Sequence, residues 1–316
     1  MKGYILKRLF SLIPVLSVVA VVVFLIIHIT PGDPAAVMLG PDASPDQVAE
    51  LREELGLNLP LYQQFTSWIA GILKGDFGWS FFMEEPVLQA FFSHLGPTIS
   101  LAILAQLLAI LFAIPLGVIA AKKRGSAVDQ SFMGIALLGI SVPSFLLGLF
   151  LILLFAVQLK WLPVAGYKPF SEGLFLHLRY LILPAIALGA MQAALIARMT
   201  RSSMLDILSA NYIKTARSKG VKEKMIVFKH ALRNAFLPIL TVIGQTFGTL
   251  IAGAAVVETV FNIPGIGQLI VNSVERRDFA VIQGTIMLVA ISYVLINLVI
   301  DLLYGVVDPR VRLNRK

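Results

Sequence analysis

Apolar residues in this 316-residue chain gather into six blocks, at about 9–29, 99–121, 131–157, 180–198, 237–257 and 280–303. Each approaches or exceeds the roughly 20 residues a helix needs to cross a hydrocarbon layer about 30 Å thick. No block carries a charge in its middle, and Asp301 sits at the inner end of the last. Lipid offers no partner for backbone N–H and C=O groups, so each span must be helical. The predicted fold class is all-α: a polytopic membrane protein with six transmembrane helices. Pro14, Pro115, Pro143, Pro184 and Pro238 lie within spans. Proline is common in membrane helices, and kinks at these positions can also shape a cavity that opens and closes.

Between the first two blocks the pattern changes. Ser44-Pro45-Asp46-Gln47 predicts a helix start, with Ser44 as N-cap, Pro45 at the first helical position and Gln47 closing a capping box. Gly56 predicts its end. From Pro60 onward Leu61, Phe65, Trp68, Ile69 and Ile72 fall at spacings of three and four, an amphipathic helix that suits the membrane surface or the bundle. Gly75-Asp76-Phe77-Gly78 predicts a turn. Residues 258–279 hold Phe261, Ile263, Ile266, Leu269 and Ile270 around Pro264-Gly265. That stretch is too short and interrupted to span, so it is a re-entrant or surface-lying element or a packed external loop.

Composition agrees: 58% of residues are hydrophobic and 14% charged, against about 45–50% and 25% in soluble domains. The first block ends in Thr30-Pro31-Gly32-Asp33-Pro34 without a small-residue cleavage site, so it is expected to be an uncleaved helix. The net charge of +8 follows the loops. Only Arg52, Lys74, Lys160, Lys168, Arg179, Arg276 and Arg277 fall in segments assigned to the outside. The positive-inside rule then places both termini in the cytoplasm. This distribution, rather than nucleic-acid binding, explains the charge. Cysteine is absent, which excludes disulfides and thiolate chemistry.

The richest basic segment is the loop at about 199–236. Asn211 is expected to cap a short helix, Tyr212 to Lys219, which Gly220 ends. A second helix from about Lys222 to Asn234 would run into the fifth span. Such an elbow makes a rigid knob outside the lipid that is continuous with a helix inside it.

The run Tyr212-Ile213-Lys214-Thr215-Ala216-Arg217-Ser218-Lys219-Gly220, followed by His230-Ala231-Leu232-Arg233-Asn234, resembles the EAA loop of ABC-importer permeases. It is most similar to the B-type subunit of the peptide/nickel class. Supporting matches are Pro31-Gly32-Asp33-Pro34, Leu55-Gly56-Leu57 with Pro60, and Gly75-Asp76-Phe77-Gly78. Arg198-Met199-Thr200-Arg201-Ser202-Ser203-Met204, Pro264-Gly265, Asp301-Leu302-Leu303-Tyr304 and Asp308-Pro309-Arg310 complete them. The resemblance implies a type I ABC importer permease fold working by alternating access in a bacterial or archaeal cytoplasmic membrane. It implies as partners a second permease subunit, two ATPase subunits that bind ATP and Mg, and an extracytoplasmic solute-binding protein. It assigns coupling to the ATPase to Lys214, Thr215, Ala216, Arg217, Ser218, Lys219, Gly220, His230, Arg233 and Asn234. Lys214 stands where the general motif has Glu. Dipeptide, oligopeptide, glutathione, nickel and metal chelates remain open as substrates.

Several chemistries lack their residues. No P-loop motif is present, so no cofactor is expected in this chain. His28, His94, His177 and His230 are scattered, without metal-ligand spacing. The spans show neither the buried charges of an ion-coupled carrier nor convergent catalytic groups, so the chain is expected not to be an enzyme. Lipid headgroups are a compatible partner of the basic loop. Gly244, Gly248 and Ala252 form a small-residue stripe that suits close helix packing or a substrate passage. Gln106, Gln192, Gln245 and Asn297 are polar groups inside spans, as interhelical links or cavity lining. The candidate substrate path is Gln192, Gly244, Gln245, Gly248 and Asn297.

Overall fold

The computed structural model describes residues 2–29, 32–40 and 42–307, with side chains described except at 2–11, 252 and 301–307. Pro31, the side chains of Ala252 and of Asp301-Leu302-Leu303-Tyr304, and Asp308-Pro309-Arg310 lie outside the described residues. The chain forms two compact units, Met1–Gly96 with Gln268–Leu298, and Pro97–Gly267 with Val299–Lys316. The stretch between the first two spans, up to Gly96, thus shares a unit with 268–298, whereas Pro97 and Thr98 belong to the other unit.

In the first unit, α1 (Lys2–Ile29) carries Pro14 within a continuous helix. Helix α2 (Pro34–Leu39) starts where Asp33 accepts from the Ala35 N–H at 3.1 Å. Helix α3 (Pro45–Glu54) has the expected capping box, with both Ser44–Gln47 bonds formed. Gly56, at φ +66°, ends it. Helix α4 (Leu61–Leu73) is the amphipathic helix. Its Phe65 and Trp68 rings stand 5.2 and 6.0 Å from Phe24 of α1, so its apolar face packs on that helix. Asp76 accepts from the Gly78 N–H in the expected turn. A two-residue hairpin, β1 (Trp79–Ser80) with β2 (Glu85–Pro86), follows; it is too short for a periodic signal. Ser80 Oγ donates to the buried Asp278 carboxylate at 2.6 Å.

The remaining long helices are α5 (Val87–Lys122), α8 (Leu174–Ser209), α11 (Arg233–Val260) and α13 (Phe279–Val307). With α1 they make five, among the described residues, that are long and apolar enough to cross a membrane. The third expected span is broken. Helices α6 (Ala127–Ser141) and α7 (Ser144–Leu151), the latter continued by π-helix Ile152–Gln158, meet at an angle of 105°. Pro143 biases Val142 to extended backbone, which ends α6. Counting this pair as one span gives six.

The second unit has two buried clusters. One joins Leu101 and Ala105 of α5 to Leu181 and Leu188 of α8, and to Leu250 and Val257 of α11. The other joins Val118, Ile196, Met204, Val227, Ala231 and Ile239. Helices α5 and α8 approach closely at two levels. A Cβ at Gly189 would lie 2.7 Å from the Ala105 carbonyl oxygen, and one at Gly117 would lie 2.6 Å from Thr200 Cβ. Large apolar side chains elsewhere are exposed, including Leu107, Leu111 and Phe112 on α5 and Ile135, Leu137 and Leu138 on α6. They suit lipid or neighbouring helices.

The region around 258 corrects the expected boundary. Helix α11 runs to Val260, so Glu258 belongs to its last turn and is fully buried. Its Oε1 accepts from Thr98 Oγ1 at 2.6 Å, and Thr98 Oγ1 accepts from the Ile266 N–H at 2.8 Å. A turn then leads into α12 (Ile266–Arg276). This turn is tight: a Cβ at Gly265 would fall 2.3 Å from the Glu258 carboxyl carbon, and one at Gly267 would fall 2.2 Å from Ala255 Cα.

Candidate functional sites: a helical loop and an open cavity

Between α8 and α11 the chain forms α9 (Asn211–Ser218), then α10 (Glu223–Met225) and a π-helix, Ile226–Leu232, that continues into α11. Two expectations are corrected. Ala210, not Asn211, holds the N-cap position of α9, without a side-chain capping bond. Asn211 is its first helical residue, and its amide oxygen accepts from Lys214 Nζ at 3.4 Å. The second helix is not uniform from Lys222 to Asn234. Lys222 is an N-cap, and wider π-helical turns separate α10 from α11.

The end of α9 follows the sequence closely. Gly220 has φ +76°, the left-handed conformation that glycine adopts without a Cβ penalty. The Gly220 N–H donates to the Arg217 carbonyl at 2.9 Å and the Val221 N–H to the Ala216 carbonyl at 3.2 Å. This pair of bonds is a Schellman motif, which satisfies carbonyls that a helix end leaves free. Ile213 is fully buried and Ala216 half-buried, while Lys214, Thr215, Arg217, Ser218 and Lys219 are exposed. One apolar side chain therefore roots the helix, and its other face is open.

Short contacts fix the elbow. Arg217 forms two bonds with Glu223 across Gly220, at 2.9 and 3.2 Å. The hydrogen bond to Glu223 raises the Arg217 guanidinium above its ordinary pKa. Both groups are exposed, so the pair adds little stability and serves to set geometry. Asn234 Nδ2 donates to Tyr212 Oη at 3.0 Å and to the His230 carbonyl at 2.7 Å. Arg233 is exposed beside it. Val227 and Ala231 of the π-helix belong to the same buried cluster as Met204 and Val118, so displacement of the elbow bears directly on α5 and α8.

An open cavity of about 990 Å³ lies in the same unit. Ser141, Val142, Pro143 and Ser144, the break between α6 and α7, form one wall. Gln192, Leu195, Arg198 and Met199 of α8 and Gln245, Thr246 and Thr249 of α11 form others. Of the expected substrate path, Gln192 and Gln245 meet here. Gly244 and Gly248 are on α11 but not in the wall. Asn297 lies in the other unit, where its Nδ2 donates to the Tyr293 carbonyl. Gln106 links helices, pairing with Thr246 at 3.4 Å.

Sequence reasoning missed the ion pair at this cavity. Arg201, which lines it, donates to both oxygens of buried Asp129 at 2.6 and 2.8 Å, and the Gly125 N–H also donates to that carboxylate. Asp129 begins α6 and Arg201 lies on α8, so the pair ties the two helices. No local pattern announces it, because 72 positions separate the partners.

Apolar helices of membrane-crossing length, a bent pair bordering an open cavity and a glycine-ended polar helix in the same unit are the parts of a transport permease. Residues 113–313 match the family model for the binding-protein-dependent transport system inner membrane component, and residues 1–102 match that for the N-terminal part of such membrane components. The chain belongs to this family: it is a permease subunit of an ABC importer. It is 47% identical over 309 residues to the probable peptide ABC transporter permease protein y4tP of Sinorhizobium fredii, covering 98% of this chain and 99% of that one. It is 46% identical over 312 residues to the glutathione transport system permease protein GsiC of Shigella flexneri, covering 99% of each. A solved structure of the MetNI methionine ABC transporter in inward-facing conformations matches with TM-score 0.58 and 20% identity, over 70% of this chain and 97% of that one. That match concerns the fold alone.

Proposed function

We propose that this subunit moves a peptide or glutathione across the membrane and that α9 is its coupling helix. The carrying observation is the construction of α9: an exposed polar face, one buried root at Ile213 and a Schellman end at Gly220. The whole-length relatives named for peptide and glutathione transport favour those solutes over nickel or metal chelates. The working complex has a second permease subunit, two ATPase subunits that hold ATP and Mg, and a solute-binding protein. This chain itself hydrolyses nothing. Coupling runs through Lys214, Thr215, Ala216, Arg217, Ser218, Lys219 and Gly220 to His230, Arg233 and Asn234.

Ala216→Glu adds bulk and charge at the half-buried edge of α9. Gly220→Val forces a β-branched residue into positive φ, which costs on the order of 1–2 kcal/mol and shifts the helix end. In proteoliposomes holding the assembled complex, both variants are expected to lose stimulation of ATP hydrolysis by the loaded binding protein while basal hydrolysis remains. Full stimulation in both would remove α9 from the coupling path, and stoichiometric ATP binding by the isolated chain would contradict the division of labour.

Both termini and α9 face the cytoplasm in this reading, which the distribution of Lys and Arg supports. Because the chain has no cysteine, Ser218→Cys and Asp42→Cys report orientation directly. A membrane-impermeant maleimide is expected to label Asp42→Cys in intact cells and Ser218→Cys only after permeabilisation. The reverse pattern would invert the topology.

A further inference from the structure

Gln192 is 7% exposed, lines the open cavity and has a side-chain oxygen, Oε1, that is buried without a hydrogen-bond partner. Its other arm is fixed. Nε2 donates to Thr249 Oγ1 at 3.3 Å, and Thr249 Oγ1 donates its own proton to the Thr246 carbonyl at 2.8 Å. The hydroxyl therefore offers Gln192 only a lone pair. Turning the amide over would either set two oxygens against each other or draw the hydroxyl proton off that carbonyl, and in both cases it would leave the amide nitrogen unpaired. This orientation makes the greater number of hydrogen bonds, and it leaves Oε1 as the buried, unpaired acceptor of a residue that lines an open, largely apolar space. An unpaired buried acceptor is unfavourable, so it stabilises whatever donor reaches it.

We propose that Gln192 Oε1 is a substrate contact, accepting a hydrogen bond from a backbone N–H of the peptide as it crosses the cavity. The inference rests on the peptide reading above. A donor-bearing substrate completes the site, whereas a substrate without that N–H leaves the oxygen unpaired. This makes Gln192 a specificity-determining residue by the logic that separates ligands differing in one donor.

The test uses the full complex in proteoliposomes, with the binding protein saturated. The probes are trialanine and its analogue methylated at the central peptide nitrogen, and glutathione with its analogue methylated at the cysteinyl nitrogen. Affinities of the isolated binding protein for each probe are measured separately, so its own preference divides out. The wild type is expected to transport at least one parent peptide about five- to tenfold better than its methylated analogue, the range one net hydrogen bond supplies. Gln192→Met, of similar length but without the oxygen, is expected to erase that ratio. Gln192→Glu, which keeps an acceptor, is expected to preserve it. Gln192→Asn withdraws the oxygen by one methylene and must also lose the preference, which decides the matter if Gln192→Met fails to assemble. A wild-type ratio retained in Gln192→Met or Gln192→Asn, or no preference in the wild type, overturns the contact and leaves the peptide reading standing. A wild-type complex that transports neither parent peptide removes both.

Discussion

Gly267→Val is expected to leave less than about a tenth of the wild-type amount of folded permease in the membrane, with transport falling in proportion. A Cβ at this position would lie 2.2 Å from Ala255 Cα, 2.4 Å from its Cβ and 2.8 Å from its nitrogen. Two of these atoms are backbone, so no rotamer change relieves the overlap. The first turn of α12 would have to leave α11, and the neighbouring turn has little freedom to follow. There the Gly265 backbone abuts the Glu258 carboxylate, and Thr98 links that carboxylate to the Ile266 N–H. Overpacking of a well-packed interior costs about 1–3 kcal/mol, and a backbone overlap belongs at or above the upper end. Gly134→Ala is the control. Nothing lies within 4 Å of its Cβ position, and alanine favours a helix interior by about 1 kcal/mol. Immunoblotting of membranes and thermal unfolding in detergent compare the two. Wild-type levels and stability of Gly267→Val would show that the close approach is not needed.

Asp129→Asn is expected to destabilise the subunit by about 2–3 kcal/mol, because the carboxylate is buried while its Arg201 partner remains partly exposed. The carboxylate accepts from Arg201 Nε, Arg201 Nη2 and the Gly125 N–H. An asparagine turns one acceptor into a donor, so an N–H would face another N–H whichever way the amide points. The Arg201 guanidinium would also lose its counter-charge. The double variant Asp129→Leu with Arg201→Met is expected to recover most of the stability, because apolar groups of similar volume often replace a buried pair at little cost. A detergent melting curve for the two single changes and the double separates these outcomes. Additive losses would show that the residues do not act as a pair.

Local signals in the sequence carry the elements well and their cross-connections poorly. Length and apolar continuity announce the spans. Ser44 with Gln47 announces α3, and Gly220 announces the end of α9, because each acts through bonds within a few residues. Asn211 misleads because it is a favoured capping type, yet Ala210 takes that position. The break at Val142 is marked by Pro143, but its 105° angle depends on what the two halves pack against. Glu258 is misread because a hydropathy boundary stops at the first charge, whereas Thr98 lets the helix continue through it. Two of the five residues of the expected passage come together at the cavity. Gln192 and Gln245 do so, while Gly244 and Gly248 stay out of its wall and Asn297 lies in the other unit. A stripe on one helix does not say which neighbour it faces. The Arg201 pairing is invisible for the same reason.

The two glycine contacts between α5 and α8 limit how the second unit can deform. Ala105 and Gly117 lie twelve residues apart on α5, about 18 Å along its axis. A single close crossing would act as a pivot, about which one helix could swing. Two crossings at separate heights remove that degree of freedom, and the interlocked backbones resist axial slip and independent roll. The two helices therefore behave as one beam. Deformation in this unit has to be taken up at compliant joints, of which the break at Val142 and Pro143 is the most pronounced, and a cavity walled by both beam and joint can change its width without the beam bending.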